Sequence, residues 1–132
     1  MDHFGLLRLM LVGAGGCVGA MLRYAVSGYV QNALRDAQFP YGTLAVNVMG
    51  CFVIGLLSQV ADARGVFTTE SRLFVFTGVL GGYTTFSTFA NESMNLLRDG
   101  QAMAVVANVA IHVCAGLVAV WLGRVIAALM WR

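Results

Sequence analysis

The sequence predicts an all-α membrane protein in which four transmembrane helices form a single domain over residues 1–132. The first observation behind this fold class is composition, since 59% of the residues are apolar and only 11% are charged, against roughly 25% in soluble domains. The second is charge spacing, which leaves uncharged stretches at 37–61, 73–91 and 101–123. A helix needs about 20 apolar residues to cross a bilayer. A soluble enzyme and a nucleic-acid-binding domain are therefore disfavoured.

The first two spans are expected at residues 6–31 and 41–61. The first span joins the uncharged stretches on either side of Arg23, so this arginine must lie within a helix. Its beginning, an apolar run after Arg8, is similar to a secretory signal segment, but the apolar pattern continues well beyond the length of one. We therefore predict a retained span. Pro40 precedes the second span, at a position that the first turn of a helix accepts.

The third and fourth spans are expected at residues 73–97 and 102–129. Either Thr68 or Thr69 can cap the N-terminus of the third span, because a threonine hydroxyl accepts a hydrogen bond from a free backbone N–H. Residues 98–100, with the sequence RDG, predict a turn before the fourth span. The four spans leave little of the chain outside the membrane.

Small residues and scattered arginines indicate how the spans assemble. Gly15 and Gly19 are four residues apart, a spacing at which helices approach closely in lipid. Four closely packed helices enclose little space, so we expect any transport site to require a second copy of the chain. Five arginines fall on one predicted side of the membrane and three on the other. This small difference gives only a weak orientation bias under the positive-inside rule.

Polar residues inside the first two spans are candidate site residues. A mid-helix arginine such as Arg23 costs about 2.5–3.5 kcal/mol on insertion scales, so it either pairs, faces water or extends to the interface. Its positive charge would suit an anion. Thr43 and Asn47 are four residues apart and share one helix face. The amide of Asn47 offers two N–H donors to an anion, although it could equally bridge two helices.

The third span contains a segment, residues 77–89, with the sequence TGVLGGYTTFSTF. Adjacent glycines followed by four hydroxyl residues predict a broken helix. A break leaves backbone carbonyl oxygens free to bind a cation, and the positive N-terminal end of a half-helix could attract an anion. The alternative is a simple kink in which the hydroxyl groups form hydrogen bonds within the same segment. Phe86 and Phe89 share one face. Their positive ring edges could attract an anion weakly, or the rings could simply pack.

The fourth span carries a polar stripe. Asn108, His112 and Gly116 follow at intervals of four residues and therefore lie on one face. In one interpretation these residues line a transport path. In the other, the histidine has a purely structural role as a hydrogen-bonding partner.

Three motifs in order along the chain carry a resemblance to a known family. They are GAMLR at residues 19–23, YGTLAVN at 41–47 and GGYTTFSTF at 81–89. Together they strongly resemble the bacterial fluoride channels, the Fluc or CrcB family, and the third motif is the most specific. The resemblance covers essentially the whole chain.

The resemblance implies a fluoride-selective channel that conducts fluoride passively out of the cytoplasm across the bacterial inner membrane. It implies a dual-topology, antiparallel homodimer with two fluoride pathways and a structural sodium ion at its centre. The backbone carbonyls of Gly81 and Thr84 would bind the sodium. The residues implied for the fluoride pathway are Asn47, Phe86 and Phe89, the hydroxyl candidates Thr43, Thr85 and Ser87, Arg23 at the entrance, and Asn108 and His112 on the fourth span.

Other classes are less consistent with the residues. The alternative, a small dual-topology multidrug exporter, needs a carboxylate within its first span, where this chain has Arg23. An enzyme is not expected, because the sequence lacks the GxSxG and HExxH motifs. A non-transporting subunit would explain the glycines but not the serial hydroxyls. The expected partners are therefore fluoride, the lipid bilayer and a second copy, without nucleic acid.

Overall fold

The computed structural model describes residues 3–34 and 38–131, and within these ranges the chain is helical and contains no strand. Residues 1–2, 35–37 and 132 of the predicted domain lie outside the described residues. Four segments are long and apolar enough to cross a membrane, which confirms the prediction of four spans. These segments are Gly5–Ala33, Tyr41–Arg64, Thr69–Arg98 and Ala102–Met130.

The first, second and fourth spans are each one continuous helix. We name them α1 (His3–Ala33), α2 (Tyr41–Arg64) and α5 (Ala102–Met130). Pro40 immediately precedes α2 and Gln101 immediately precedes α5. The structure thus places Pro40 one residue before the first helical turn.

The third span is interrupted, as its sequence predicts. Its first half, α3, comprises residues 69–83 and includes a π-helical stretch at Leu73–Leu80. Its second half is α4 (Phe86–Arg98). Between them, Thr84 and Thr85 have extended backbone angles, with ψ of 157° and 119°. The π-helical stretch at Leu73–Leu80 is also unusual, because π-helical turns are rare and often occur near functional sites.

Side-chain caps stabilise both halves of the third span. The hydroxyl of Thr68 accepts a hydrogen bond from the N–H of Ser71 at 3.2 Å, so Thr68 rather than Thr69 caps α3. The hydroxyl of Thr85 caps α4 in the same way. After α4, Gly100 has a φ of 75° and forms the predicted turn that leads into α5.

Glycines set the distance between the helices. Gly15 and Gly19 on α1 lie directly against the backbone of α3, so a Cβ at either position would meet main-chain atoms. Gly55 on α2 packs in the same way against the backbone of Val120 on α5, and Gly123 packs against the backbone of α2. Close contacts of this kind drive helix association in lipid. The structure therefore consists of two tight pairs, α1 with α3 and α2 with α5.

The outer surface of the four-helix unit is strongly apolar. Large apolar side chains such as Met103, Leu117 and Trp121 are more than half exposed. The buried apolar residues are mostly small, among them Val46, Ala61, Ala119 and Ala127. A surface of this kind requires lipid or a further protein copy as its surroundings.

Candidate functional site

The break in the third span is held in place by one side chain of α2. The Oδ1 atom of Asn47 accepts a hydrogen bond from the N–H of Thr85 at 2.8 Å. Its Nδ2 atom donates to the carbonyl oxygen of the same threonine at 3.1 Å. Asn47 thus replaces the backbone hydrogen bonds that the helix loses at the break, a requirement at membrane depth. Its second N–H has no partner among the described residues.

Hydroxyl groups around the break bind mainly to nearby main-chain and side-chain atoms. The hydroxyl of Thr84 donates to the carbonyl oxygen of Leu80 at 3.1 Å. The hydroxyl of Thr85 donates to Thr88 Oγ1 at 3.0 Å and accepts from the N–H of Thr88 at 3.3 Å. Ser87 Oγ lies 3.4 Å from Thr85 Oγ1. The hydroxyls therefore form hydrogen bonds within the third span, as in the kink that is one of the two alternatives from the sequence. The backbone groups at the break, however, are bound by Asn47 on α2.

A groove of about 410 Å³ opens beside the break. Its walls come from α2, both halves of the third span and α5, and they are mainly apolar with a few polar groups. Asn47, Gly50 and Ile54 on α2 line the groove, whereas Thr43, whose spacing places it on the same side of this helix, does not. Gly50 leaves room for the Thr84 methyl group, which a Cβ there would meet.

Three rings stand in series along this groove. The ring centroids of Phe86 and Phe89 are 5.6 Å apart, at an interplanar angle of 51°. The Phe89 centroid lies 4.4 Å from that of His112, at 44°. Phe86 is 79% exposed in the single chain. The tilted arrangement presents ring edges, which carry partial positive charge, as well as faces.

The break leaves main-chain oxygens free. Within the described residues, the carbonyl oxygens of Gly81 and Thr84 accept no hydrogen bond across the break. In a continuous helix they would accept from the N–H groups of Thr85 and Thr88. Here the N–H of Thr85 donates to Asn47, and that of Thr88 donates to the Thr85 hydroxyl. Gly81 is exposed on the surface of the chain. Free carbonyl oxygens are the type of ligand that a hard cation requires.

A second cavity of about 310 Å³, the Arg23 cavity, lies on another side of the break. Arg23 is partly buried there, and its Nε donates to the carbonyl oxygen of Gly82 at 3.2 Å. Thr43 lines the same cavity and donates to Glu92 Oε1 at 2.7 Å. Arg23 therefore contacts the broken helix directly and does not merely extend to the membrane surface.

Asn108 is completely buried, with 0% exposure. Its Nδ2 donates to Ser93 Oγ at 3.0 Å, and Ser93 in turn donates to the carbonyl oxygen of Phe89 at 2.8 Å. The main-chain oxygen of Asn108 accepts a hydrogen bond from Nδ1 of His112 at 2.9 Å. Asn108 thus lies behind the groove and connects two of the residues that line it.

The structure separates the predicted site residues into two groups. Seven line the groove: Asn47, Gly81, Thr84, Thr85, Phe86, Phe89 and His112. The other four are placed differently, since Arg23 and Thr43 line the Arg23 cavity, Ser87 is exposed and Asn108 is buried behind Phe89.

Sequence reasoning did not identify Ser93 or Thr88 as site residues. Ser93 was recognisable only as a polar residue one helical turn after Phe89. Thr88 was part of the hydroxyl series, but nothing in the sequence distinguished it from its neighbours. Glu92 follows Phe89 by three residues, where the sequence allows either a polar vestibule or a simple helix end, and the structure joins it to Thr43.

Comparison with known proteins identifies the family. The family model described as "CrcB-like protein, Camphor Resistance (CrcB)" matches residues 10–124. A curated relative from Elusimicrobium minutum, named "Fluoride-specific ion channel FluC", is 47% identical over 89% of this chain and 91% of its own. A relative from Rhodopseudomonas palustris, "Fluoride-specific ion channel FluC 1", is 44% identical over 92% of this chain and 87% of its own.

An archaeal relative extends this similarity. The "Fluoride-specific ion channel FluC 1" of Methanosarcina acetivorans is 41% identical over 89% of this chain and 88% of its own. These names describe ion channels and not enzymes, which agrees with the expectation that the chain has no catalytic activity, and none describes a multidrug exporter. Together with its four spans, the match over nearly the whole chain shows a multi-pass membrane protein that belongs to the CrcB family.

Proposed function

We propose that this chain is a fluoride-selective channel that conducts fluoride passively out of the cytoplasm. The relatives' names support the ion, and one structural observation carries the proposal for the site: Asn47 holds the third span open beside a groove lined by Phe86 and Phe89. The groove contains no formal negative charge among its described lining residues. In this proposal the site lies within one channel domain over residues 1–132.

The proposed mechanism replaces the water around fluoride with weak donors. Hydrogen bonds come from the second N–H of Asn47 and from the N–H groups of Phe86 and Ser87, none of which has a partner among the described residues. The positive end of α4 also points at the break. These donors lie on uncharged groups, so the ion is attracted without being trapped, which conduction requires.

The aromatic rings continue this path in the proposal. The edges of Phe86 and Phe89 offer partial positive charge to the anion while excluding water. Thr85 and His112 add polar groups to the same groove. Asn108 acts indirectly, through its hydrogen bonds to Ser93 and His112.

Arg23 and Thr43 belong to the entrance in this scheme. Both line the Arg23 cavity, which shares Thr85 with the groove. A partly buried arginine raises the local concentration of anions. Ser87 is exposed and adjacent to Thr85, so its hydroxyl would meet an ion near the break.

A structural sodium ion would bind to the carbonyl oxygens of Gly81 and Thr84. The two oxygens are free of hydrogen bonds across the break, which fits an oxygen-coordinated cation. In this proposal each chain supplies these two ligands, so a pair of chains would supply four. The charge of the cation would offset part of the cost of a dehydrated anion nearby.

The complete channel is proposed to be an antiparallel, dual-topology homodimer in the bacterial inner membrane. Two features of the single chain support a second copy. Phe86 is 79% exposed although it lines the groove, and Gly81 lies at the surface. The nearly even distribution of arginines allows insertion in both orientations.

Fluoride efflux from liposomes tests the proposal. Purified protein is reconstituted with internal potassium fluoride, and a fluoride electrode records release after valinomycin addition, with potassium chloride and protein-free vesicles as controls. We expect fluoride release without chloride release. No fluoride release above that of protein-free vesicles would contradict the channel.

The arrangement of the copies needs a separate measurement. Cysteine crosslinking of dimers with tagged termini should trap the termini of the two subunits on opposite sides of the membrane. Crosslinked dimers whose tags all lie on one side would exclude the antiparallel arrangement but not the channel.

A further inference from the structure

A third cavity, of about 390 Å³, lies at the end of the bundle where α2 ends and α3 begins. We call it the Arg72 cavity. Helices α2, α3 and α5 each contribute polar side chains to it. These residues are Ser58 and Asp62 from α2, Thr69 and Arg72 from α3, and Arg124 from α5. None of them takes part in the proposed fluoride pathway.

The charges in this cavity do not cancel. Arg124 lies 3.8 Å from Asp62, at the outer limit of an ion pair, and both side chains are about half exposed, at 48% and 60%. Arg72 has no ion-pair partner among the described residues. Two guanidinium groups against one carboxylate leave a net positive charge. Arginine guanidinium groups bind phosphate oxygens in a bidentate manner.

The position of the cavity indicates which kind of phosphate-containing ligand it would bind. Its polar residues lie at the ends of three membrane-spanning helices, the level of lipid headgroups. Leu73 and Phe76 form apolar parts of the same wall. A polar rim above an apolar wall fits a phosphodiester with an attached acyl chain better than a free ion. Basic pockets between transmembrane helices bind anionic lipid headgroups.

We propose that the Arg72 cavity binds the phosphodiester headgroup of an anionic phospholipid, with Arg72 and Arg124 as the phosphate ligands. The hydroxyl groups of Ser58 and Thr69 supply further donors. The net positive charge favours a lipid with net negative charge over a zwitterionic one. The lipid would bridge α2, α3 and α5 at this end of the bundle and stabilise their arrangement.

Lipid titration of the purified protein in detergent tests this site without measuring fluoride flux. The thermal unfolding midpoint is followed with added phosphatidylglycerol, phosphatidylcholine, phosphatidylethanolamine or inorganic phosphate. We expect phosphatidylglycerol alone to raise the midpoint in a saturable manner. Equal stabilisation by the zwitterionic lipids, or by inorganic phosphate, would overturn the proposal.

Matched double variants locate the site. R72Q/R124Q removes the two proposed ligands, while R8Q/R64Q removes two exposed arginines that do not line the cavity. Both change the net charge equally. The apparent Kd for phosphatidylglycerol should rise at least about tenfold in R72Q/R124Q, because the loss of even one of the two sets of charge-assisted hydrogen bonds has an effect of this size. It should change less than about twofold in R8Q/R64Q; equal weakening in both would overturn the site.

Discussion

Asn108 donates a hydrogen bond to Ser93 Oγ at 3.0 Å, although neither residue lines the groove. Through this contact α5 is connected to the carbonyl oxygen of Phe89. The same asparagine accepts a hydrogen bond from His112. A buried polar pair therefore links the main chain of α4 at Phe89 to the turn of α5 that precedes His112, and side-chain hydrogen bonds of this kind hold helices together in membranes.

Replacement of Ser93 should reveal this connection. Ser93→Ala leaves the Nδ2 group of Asn108 buried without its partner, which costs about 1–3 kcal/mol. We expect lower thermal stability in detergent and slower fluoride efflux. Ser87→Ala, which removes an exposed hydroxyl outside this network, is the matched control for the stability measurement alone and should leave the unfolding midpoint unchanged. An unfolding midpoint of Ser93→Ala equal to that of the wild type would show that the Asn108–Ser93 hydrogen bond does not stabilise the protein.

Replacement of Asn47 should close or disorder the break. Asn47→Ala removes two hydrogen bonds. The backbone N–H and the carbonyl oxygen of Thr85 then have lost their partners. Fluoride efflux should fall about tenfold or more, a factor that corresponds to about 1.4 kcal/mol. Asn91→Ala changes an exposed asparagine on α4 and should retain wild-type efflux. Normal efflux from Asn47→Ala would remove the break from the mechanism.

The two phenylalanines of the groove should each be required. Phe86→Ile and Phe89→Ile keep an apolar side chain but remove the ring edge, so we expect fluoride efflux from liposomes to be abolished. The matched control is Phe39→Ile, which changes a ring that packs on Tyr41 and lines neither the groove nor the Arg23 cavity. Undiminished efflux in both groove variants would contradict an aromatic pathway.

The glycine contacts between α1 and α3 should be intolerant of a methyl group. Gly19→Ala places a Cβ against the backbone of Val79 and Tyr83, and overpacking of this kind costs about 1–3 kcal/mol. Gly13→Ala, on the same helix, has no atom within 4 Å of the added Cβ. Thermal unfolding in detergent should therefore separate the two variants. Equal midpoints would show that α1 and α3 can move apart freely.

The sequence alone was sufficient for the architecture, because the bilayer imposes a strict length and composition on each span. The long uncharged stretches located four spans, and the glycines and hydroxyls at 81–88 located the break. The spacing of Gly15 and Gly19 correctly indicated a close helix contact. These signals are local, so each can be recognised from one segment.

The contacts between segments could not be predicted in the same way. Asn47 and Thr85 are 38 residues apart, and Thr43 and Glu92 are 49 apart. The rotation of each helix about its axis decides such pairs, and a mostly apolar span does not specify this rotation. Asn108 shows the difficulty, because its position on the His112 face was evident but its partner Ser93 was not.

Besides its hydrogen bonds, Thr85 has a second structural feature, because it lines two cavities. Within the described residues it is the single amino acid common to the linings of the Arg23 cavity and the groove. A bulkier side chain at this position would narrow both compartments together, whereas a smaller one would enlarge both. If the proposed pathway is correct, a substitution of this threonine would affect the entrance and the groove at once, while every helix stays as it is.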